Sequence, residues 1–196
     1  KDVMVLLSTA QWLRNLGYRA VPSLNDTALA IPLAIQAGLG EYGRHGLVIT
    51  PEFGPRVRFG KIFTDAPLHH DSPVRFGVTE FCESCRRCTE ACPPGAIADG
   101  PPTSVKLNRS TIGGVRKWTT DGEKCFSYWA QIVSDCMICI RVCPYNKDFS
   151  RFRHRIGRRL AATRLRGLML WLEGRMGYGK RLRPRDWWAG QDGRPT

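Results

Sequence analysis

Eight cysteines carry most of the chemistry available to this 196-residue chain. Cys82, Cys85, Cys88 and Cys92 are spaced C-x2-C-x2-C-x3-C and followed by Pro93. Cys125, Cys136, Cys139 and Cys143 are spaced C-x10-C-x2-C-x3-C and followed by Pro144. Three thiolates close together in sequence can wrap three corners of one iron–sulfur cubane, but the fourth corner must come from a distant segment. In the C-x2-C-x2-C-x3-C-P run the fourth cysteine ligates the other cluster of a pair. If that crossed arrangement holds, one [4Fe–4S] cluster takes Cys82, Cys85, Cys88 and Cys143, and the second takes Cys92, Cys125, Cys136 and Cys139. No cysteine is left over. Structural zinc usually shows paired C-x2-C units, and disulfides do not require such regular crowding, so both are weaker readings. Two clusters joined by shared segments are expected about 10–12 Å apart. Such a pair is an electron wire, and a wire needs something to feed.

The elements that must position these thiols fall into three stretches: residues 1–78, 79–149 and 150–196. In the first, Val3 to Leu16 is expected to form an amphipathic helix, with Asp2 as its N-cap and Gly17 just beyond its end. Tyr18 to Val21 reads as a short strand ending at Pro22. Asn25-Asp26-Thr27 then caps a second helix that ends at Gly38 and either begins at Pro32 or kinks there. Gly46 to Thr50 and Val57 to Thr64 are β-rich and flank a Pro-Glu-Phe-Gly-Pro turn, which suggests a hairpin or two neighbouring strands. The cysteine-rich stretch is divided by a Pro/Gly-rich loop at Asp99 to Thr103. Beyond Ser150 the chain is basic and helical in pattern, and it turns irregular from Gly177.

Charge is unevenly placed. The formal net charge is +13 with thiols counted as neutral; two cubanes at about −2 each would lower it to about +9. Thirteen basic residues lie between Arg151 and Arg194, against Glu173, Asp186 and Asp192. Residues 156–172 interleave Arg158, Arg159, Arg164 and Arg166 with Ile156, Leu160, Leu165, Leu168, Leu170 and Leu172, a pattern suited either to an anionic membrane surface or acidic partner or to packing on the domain. No apolar run approaches the roughly 18 residues of a spanning helix. The chain starts on Lys1, within what already reads as a helix, so it is expected to be a piece of a longer protein, with any export signal upstream.

Gly38-Leu39-Gly40-Glu41-Tyr42-Gly43 formally matches the dinucleotide fingerprint GxGxxG. That motif needs a strand before it and a helix after it, and here the order is reversed. Gly38, Gly40, Gly43 and Gly46 still point to tight turns or close approach to something flat and large. His45, His69 and His70 lack a second set of ligands at metal-binding spacing.

Asn25-Asp26-Thr27, the run from Ala37 through Gly43-Arg44-His45-Gly46-Leu47, the run Ile49-Thr50-Pro51-Glu52-Phe53-Gly54-Pro55-Arg56-Val57-Arg58 and Phe63-Thr64-Asp65 together resemble the corrinoid-binding core of reductive dehalogenases. The cysteine sets follow in the family's order, and Trp118, Asp121, Lys124-Cys125 and Cys143-Pro144-Tyr145-Asn146-Lys147 extend the likeness, more loosely to Trp187-Trp188. The resemblance implies an α+β fold: a nitroreductase-like, cobalamin-binding α/β segment followed by a bacterial-ferredoxin-like 2[4Fe–4S] module. It implies a base-off cobalamin beside one cluster and reductive removal of halide from an organohalide. By position, the residue supporting the family's proton-donor tyrosine falls on Arg58, with Arg56 the alternative, and Asn25 falls at a polar position of the pocket. The tyrosine itself is expected upstream of Lys1. Asn25, Thr27, Gly38, Leu39, Gly40, Gly43, Arg44, Gly46 and Leu47 are the implied corrinoid contacts.

Two rivals stand beside this reading. Epoxyqueuosine reductase resembles the same core and clusters but acts on tRNA, and the roughly fifty residues that follow Cys143 here are not expected to hold the helical-repeat domain of that enzyme. A non-enzymatic ferredoxin explains the cysteines but not the α/β segment before them. The expected partners are an organohalide and an electron donor, either a protein or linked to membrane quinol, with no nucleic acid and with peripheral membrane contact through the basic tail as one option. Localisation is open between export with membrane association and the cytoplasm.

Overall fold

The computed structural model describes residues 1–24 and 27–180. The fold is α+β, with eight helices and two small antiparallel sheets among those residues. Helix α1 (Asp2–Asn15) buries Ala10 and Leu13. Lys1, not Asp2, is its N-cap; Asp2 lies in the first turn, where a carboxylate still meets the positive end of the helix dipole. Gly17, at φ 94°, ends the helix as expected. The chain turns there into β1 (Ala20–Ser23), which runs on through Pro22.

Helix α2 (Ala30–Gln36) starts at Ala30, so Pro32 sits in the first turn, where its missing N–H has no intrahelical partner to lose. The Asn25-Asp26 part of the expected cap lies outside the described residues. β2 (Glu41–Tyr42) pairs with β3 (Val48–Ile49) across the turn formed by residues 43–47.

The expected hairpin between 46–50 and 57–64 does not form. Thr50 and Gly54 close a tight loop on each other, and the chain leaves it without strand structure until β4 (Lys61–Thr64). β4 pairs with β1, in the register Ala20↔Thr64 to Ser23↔Lys61. A strand of four residues carries too little pattern to name its own partner. The apolar residues Ala10, Leu13 and Ala20, packed with Ile62 and Ala66, select it.

The cysteine-rich stretch supplies α3 (Val78–Ser84), α4 (Arg87–Ala91), α5 (Gly122–Ile132) and α6 (Ile138–Arg141). The long C-x10-C gap is filled by α5, which carries Cys125 and ends at Val133, a left-handed residue at φ 50° that turns the chain back toward Cys136. The basic segment is two helices rather than one, α7 (Phe152–Ala161) and α8 (Arg166–Arg175).

The largest core runs through all three stretches. Ile49, Val78, Phe81, Cys82, Trp118, Tyr145, Ala161 and Met169 pack together, so neither residue 78 nor residue 150 marks a break in packing. Helix α8 is pinned by the buried Glu173 carboxylate, which accepts from Arg87 at 3.0 Å and from Lys147. The helical tail is therefore packed on the module, with Leu168, Trp171 and Met176 left exposed. Among the described residues no helix is long and apolar enough to cross a membrane.

Candidate metal centre

Helix α3 owes its placement to β2. The buried Glu41 carboxylate accepts from the backbone N–H groups of Phe76 and Val78, the latter at 3.3 Å, and faces the Thr79 hydroxyl at 3.5 Å. It thus satisfies otherwise unpaired amides where α3 begins and places negative charge at the helix's positive end. Cys82 lies one turn further along this helix, and Cys85 is its C-cap residue.

The turn between β2 and β3 faces the same place. Arg44 is 3 % exposed, and its guanidinium donates to the carbonyl of Cys82 at 2.9 Å and to those of Ala98, Asp99 and Gly100 at 3.0–3.1 Å. It also lies over the Trp118 ring, 4.8 Å from the centroid. Among the described residues no carboxylate pairs with it. His45, next in the turn, is buried; its Nδ1 accepts from the Leu47 N–H at 3.2 Å, and burial pushes its pKa down to about 4.

Cys82, Cys85, Cys88 and Cys143 line one cavity together with His45 and Tyr145, with about 260 Å³ of space unfilled by protein, part of it open to solvent. Burial pushes the thiols of Cys82 and Cys88 up to about 12 and that of Cys143 well above the ordinary range, and repulsion among the grouped sulfurs adds to the rise. The other four thiols form a second group. Burial raises Cys139 to about 11 and also raises Cys125, and Cys92 and Cys136 act electrostatically on both. Cys88 and Cys139 interact across the two groups. Val142, fully buried, packs with Cys88 of the first group and Cys92 and Cys139 of the second.

A thiolate in such surroundings needs a cation bound to it and donors around it. The backbone supplies donors: the N–H groups of Arg44, Arg87 and Tyr145 favour the thiolates of Cys82, Cys85 and Cys143 respectively. The Ala96 N–H reaches Cys92 Sγ at 3.3 Å, and that of Ile140 favours Cys139. The guanidinium of Arg44 adds positive charge beside Cys82, Cys85 and Cys88. Among the described residues no three His, Cys, Asp or Glu side chains close around a single metal ion. These donors and charges fit a polynuclear anionic centre better than one tetrahedral ion.

The loop ahead of α5 positions Cys125. Asp121 caps the helix by accepting from the Glu123 and Lys124 N–H groups, both at 3.1 Å, and from Asn108 Nδ2 at 3.0 Å.

A family model described as a 4Fe-4S double cluster binding domain matches residues 81–146. Over 182 residues the chain is 40% identical to a tetrachloroethene reductive dehalogenase of Sulfurospirillum multivorans, covering 92% of this chain and 36% of the relative. The chain belongs to the reductive dehalogenase family. A solved reductive dehalogenase whose description concerns B12-dependent dehalogenation superposes with a TM-score of 0.75 at 31% identity, over 88% of this chain and 25% of that one. An epoxyqueuosine reductase of Lactococcus garvieae is 30% identical over 66% of this chain, a more distant likeness than the dehalogenases. The chain spans about a third of the length of the first of these relatives.

The remaining site residues lie as follows. Arg58 is exposed, with Asp2 its ion-pair partner at 3.8 Å. Arg56 is also on the surface, but its guanidinium donates to the carbonyls of Lys147 at 2.6 Å and Phe53 at 3.3 Å. Thr27 is exposed and accepts from Ser23 Oγ at 2.9 Å, and Asn25 lies outside the described residues. A side chain at Gly38, Gly40, Gly43 or Gly46 would meet, respectively, the Ser72 carbonyl, the Ile49 carbonyl, the His45 ring or the Thr120 hydroxyl, each within 3 Å. The chain's own packing accounts for these glycines without a ligand. Arg44 is likewise committed inward, whereas Leu39 is about half exposed and Leu47 partly so. His69 and His70 are exposed. Sequence reasoning missed Glu41 as the cap of α3 and the inward roles of Arg44, His45 and Tyr145; a charged Glu and Arg inside a glycine-spaced turn was the available signal.

Proposed function

We propose that this chain is the electron-delivery part, and one wall of the cofactor site, of a corrinoid-dependent reductive dehalogenase. In this reading Cys82, Cys85, Cys88 and Cys143 hold one [4Fe–4S] cluster and Cys92, Cys125, Cys136 and Cys139 hold the other, with Val142 packed against cysteines of both. The observation that carries it is the grouping of eight thiols into two neighbouring sets, with the residue 43–47 turn of the α/β segment packed on one of them. Residues 1–78 then belong to a nitroreductase-like core, in which Leu39 and Leu47, beside the turn that bears Arg44 and His45, would offer a corrinoid apolar contact.

A bound corrinoid supplies the reductive cleavage of the carbon–halogen bond. The residues of this chain bring electrons singly, exclude water and hold charge. Arg58 is better placed than Arg56 to face a substrate, because its guanidinium is not tied to backbone carbonyls and carries a permanent charge suited to a departing halide. The substrate class is an organohalide, and tetrachloroethene, named for the relatives, is the first compound to assay. Electrons come from a donor protein or a quinol-linked membrane partner, and the basic helices α7 and α8 are the surface for a membrane-side contact.

The test is anaerobic preparation of the full-length protein, followed by cofactor extraction, a visible spectrum and a halide-release assay with tetrachloroethene and a low-potential reductant. Corrinoid with both clusters and halide release is the expected result. Clusters without corrinoid would replace this reading with that of an electron-transfer module.

A further inference from the structure

Among the described residues, five buried side-chain polar atoms have no hydrogen-bond partner, and two of them, His45 Nε2 and Tyr145 Oη, belong to residues that line the cavity of Cys82, Cys85, Cys88 and Cys143. Buried polar groups are rarely left unpaired, and each exception calls for an explanation. The tautomer of His45 follows from its neighbours. Nδ1 accepts from the Leu47 N–H, so it carries no proton, and the ring's single N–H is at Nε2. The ring is held in place: a Cβ on Gly43 would lie 2.9 Å from His45 Cε1, and the His45 carbonyl accepts from Thr120 Oγ1 at 3.2 Å.

Tyr145 is fixed as firmly. Its ring meets Phe81 edge-on at 5.3 Å and Phe76 at 6.1 Å, and it is 2 % exposed. No carbonyl or carboxylate takes its proton. Two rigid donors therefore lack acceptors at the wall of one thiol set. A [4Fe–4S] cluster offers sulfur acceptors there, and hydrogen bonds to cluster sulfurs spread its negative charge and raise its reduction potential.

We propose that His45 Nε2–H and Tyr145 Oη–H donate to sulfurs of the cluster held by Cys82, Cys85, Cys88 and Cys143 and so set its potential. The inference rests on the cluster reading above and adds a role for two side chains that are not ligands. One donor comes from the turn after β2 and the other from the Cys-Pro-Tyr segment, so the α/β segment, through His45, tunes the wire as well as adjoining it.

The experiment is EPR-monitored redox titration of the full-length holoprotein, with iron and sulfide content measured alongside. Tyr145→Phe removes one hydroxyl and leaves the ring. It is expected to shift reduction of that one cluster about tenfold toward the oxidised form, a fall of about 59 mV for a one-electron couple, with the other cluster unmoved. His45→Leu is expected to shift it in the same direction, and His45→Gln, which keeps an N–H, to recover part of the loss. Unchanged potentials in Tyr145→Phe and His45→Leu with both clusters loaded would overturn the inference. Should a variant lose its cluster, the unmodified protein grown with 15N-histidine decides: pulsed EPR of the reduced cluster is expected to show a histidine 15N coupling, and its absence is equally fatal. Absence of cluster signals and of iron from the unmodified protein would instead defeat the cluster reading itself.

Discussion

Replacing Arg44 with Met is the most informative perturbation of the packing around the clusters. The change keeps much of the side-chain length and removes the guanidinium that donates to the carbonyls of Cys82, Ala98, Asp99 and Gly100. Two of these carbonyls have a second donor: Thr89 Oγ1 reaches Ala98 at 3.3 Å, and Trp118 Nε1 reaches Gly100 at 3.1 Å. The carbonyls of Cys82 and Asp99 lose the donor that Arg44 gave them. The Cys82 carbonyl is buried, and leaving such an acceptor unsatisfied costs about 1–3 kcal/mol; the Asp99 carbonyl is partly open to water and its loss costs about 1 kcal/mol, and the lost contact with the Trp118 face adds about 1 kcal/mol. The expected destabilisation is about 3–5 kcal/mol, accompanied by loss of the positive charge beside Cys82, Cys85 and Cys88. Arg44→Lys keeps charge but not the fork, and is expected to cost about half as much. The assay is anaerobic guanidinium denaturation of the full-length protein, followed by tryptophan fluorescence and by bleaching of cluster absorbance. An Arg44→Met protein that unfolds at the parent midpoint with its clusters intact would refute the claim that this side chain joins the two segments.

Other outcomes follow from the same contacts. Cys143→Ser is expected to disturb the cluster of Cys82, Cys85 and Cys88 and spare the other, whereas Cys92→Ser does the reverse, as read by EPR and iron content; the opposite pairing would mean that the sets are not crossed. Gly54, at φ 59°, would place a Cβ 2.0 Å from the Tyr145 carbonyl oxygen, so Gly54→Ala is expected to cost about 2–4 kcal/mol from left-handed strain and overpacking, seen as a lower denaturation midpoint. Burial raises the Tyr42 phenol to about 12, and its hydroxyl donates to the Trp118 carbonyl at 3.0 Å. The unfolded phenol ionises near 10, so the unfolded state binds fewer protons between pH 10 and 12 and stability falls as pH rises through that window. The loss is expected to reach about 2 kcal/mol after allowance for partial exposure, and Tyr42→Phe is expected to lack that slope.

Much of the architecture was readable where the signal is local. The cysteine spacing is that of a ferredoxin-type run, and the structure gathers Cys82, Cys85, Cys88 and Cys143 at one cavity. Helix α1 carried its own stop in Gly17. The strand pairing was not readable, because β1 to β4 are two to four residues long and their partners are chosen by packing around Leu13 and Ile62. The basic tail broke into two helices around residues 162–165, and its docking depends on Glu173, an acid in the basic stretch whose partners Arg87 and Lys147 lie outside that stretch. Arg44 and His45 show the same limit inside the site. A glycine-spaced turn suggested contact with a large flat ligand, but the direction of each side chain depends on tertiary contacts with Cys82 and Trp118 that no local pattern encodes.

Metal and corrinoid analysis of the full-length protein, prepared without oxygen, tests the central claim most directly. Two [4Fe–4S] clusters beside one corrinoid require about eight iron and eight sulfide per cobalt, with two interacting cluster signals in the EPR spectrum. Iron near four per chain, or eight iron with no cobalt, would contradict the account of a two-cluster wire feeding a corrinoid.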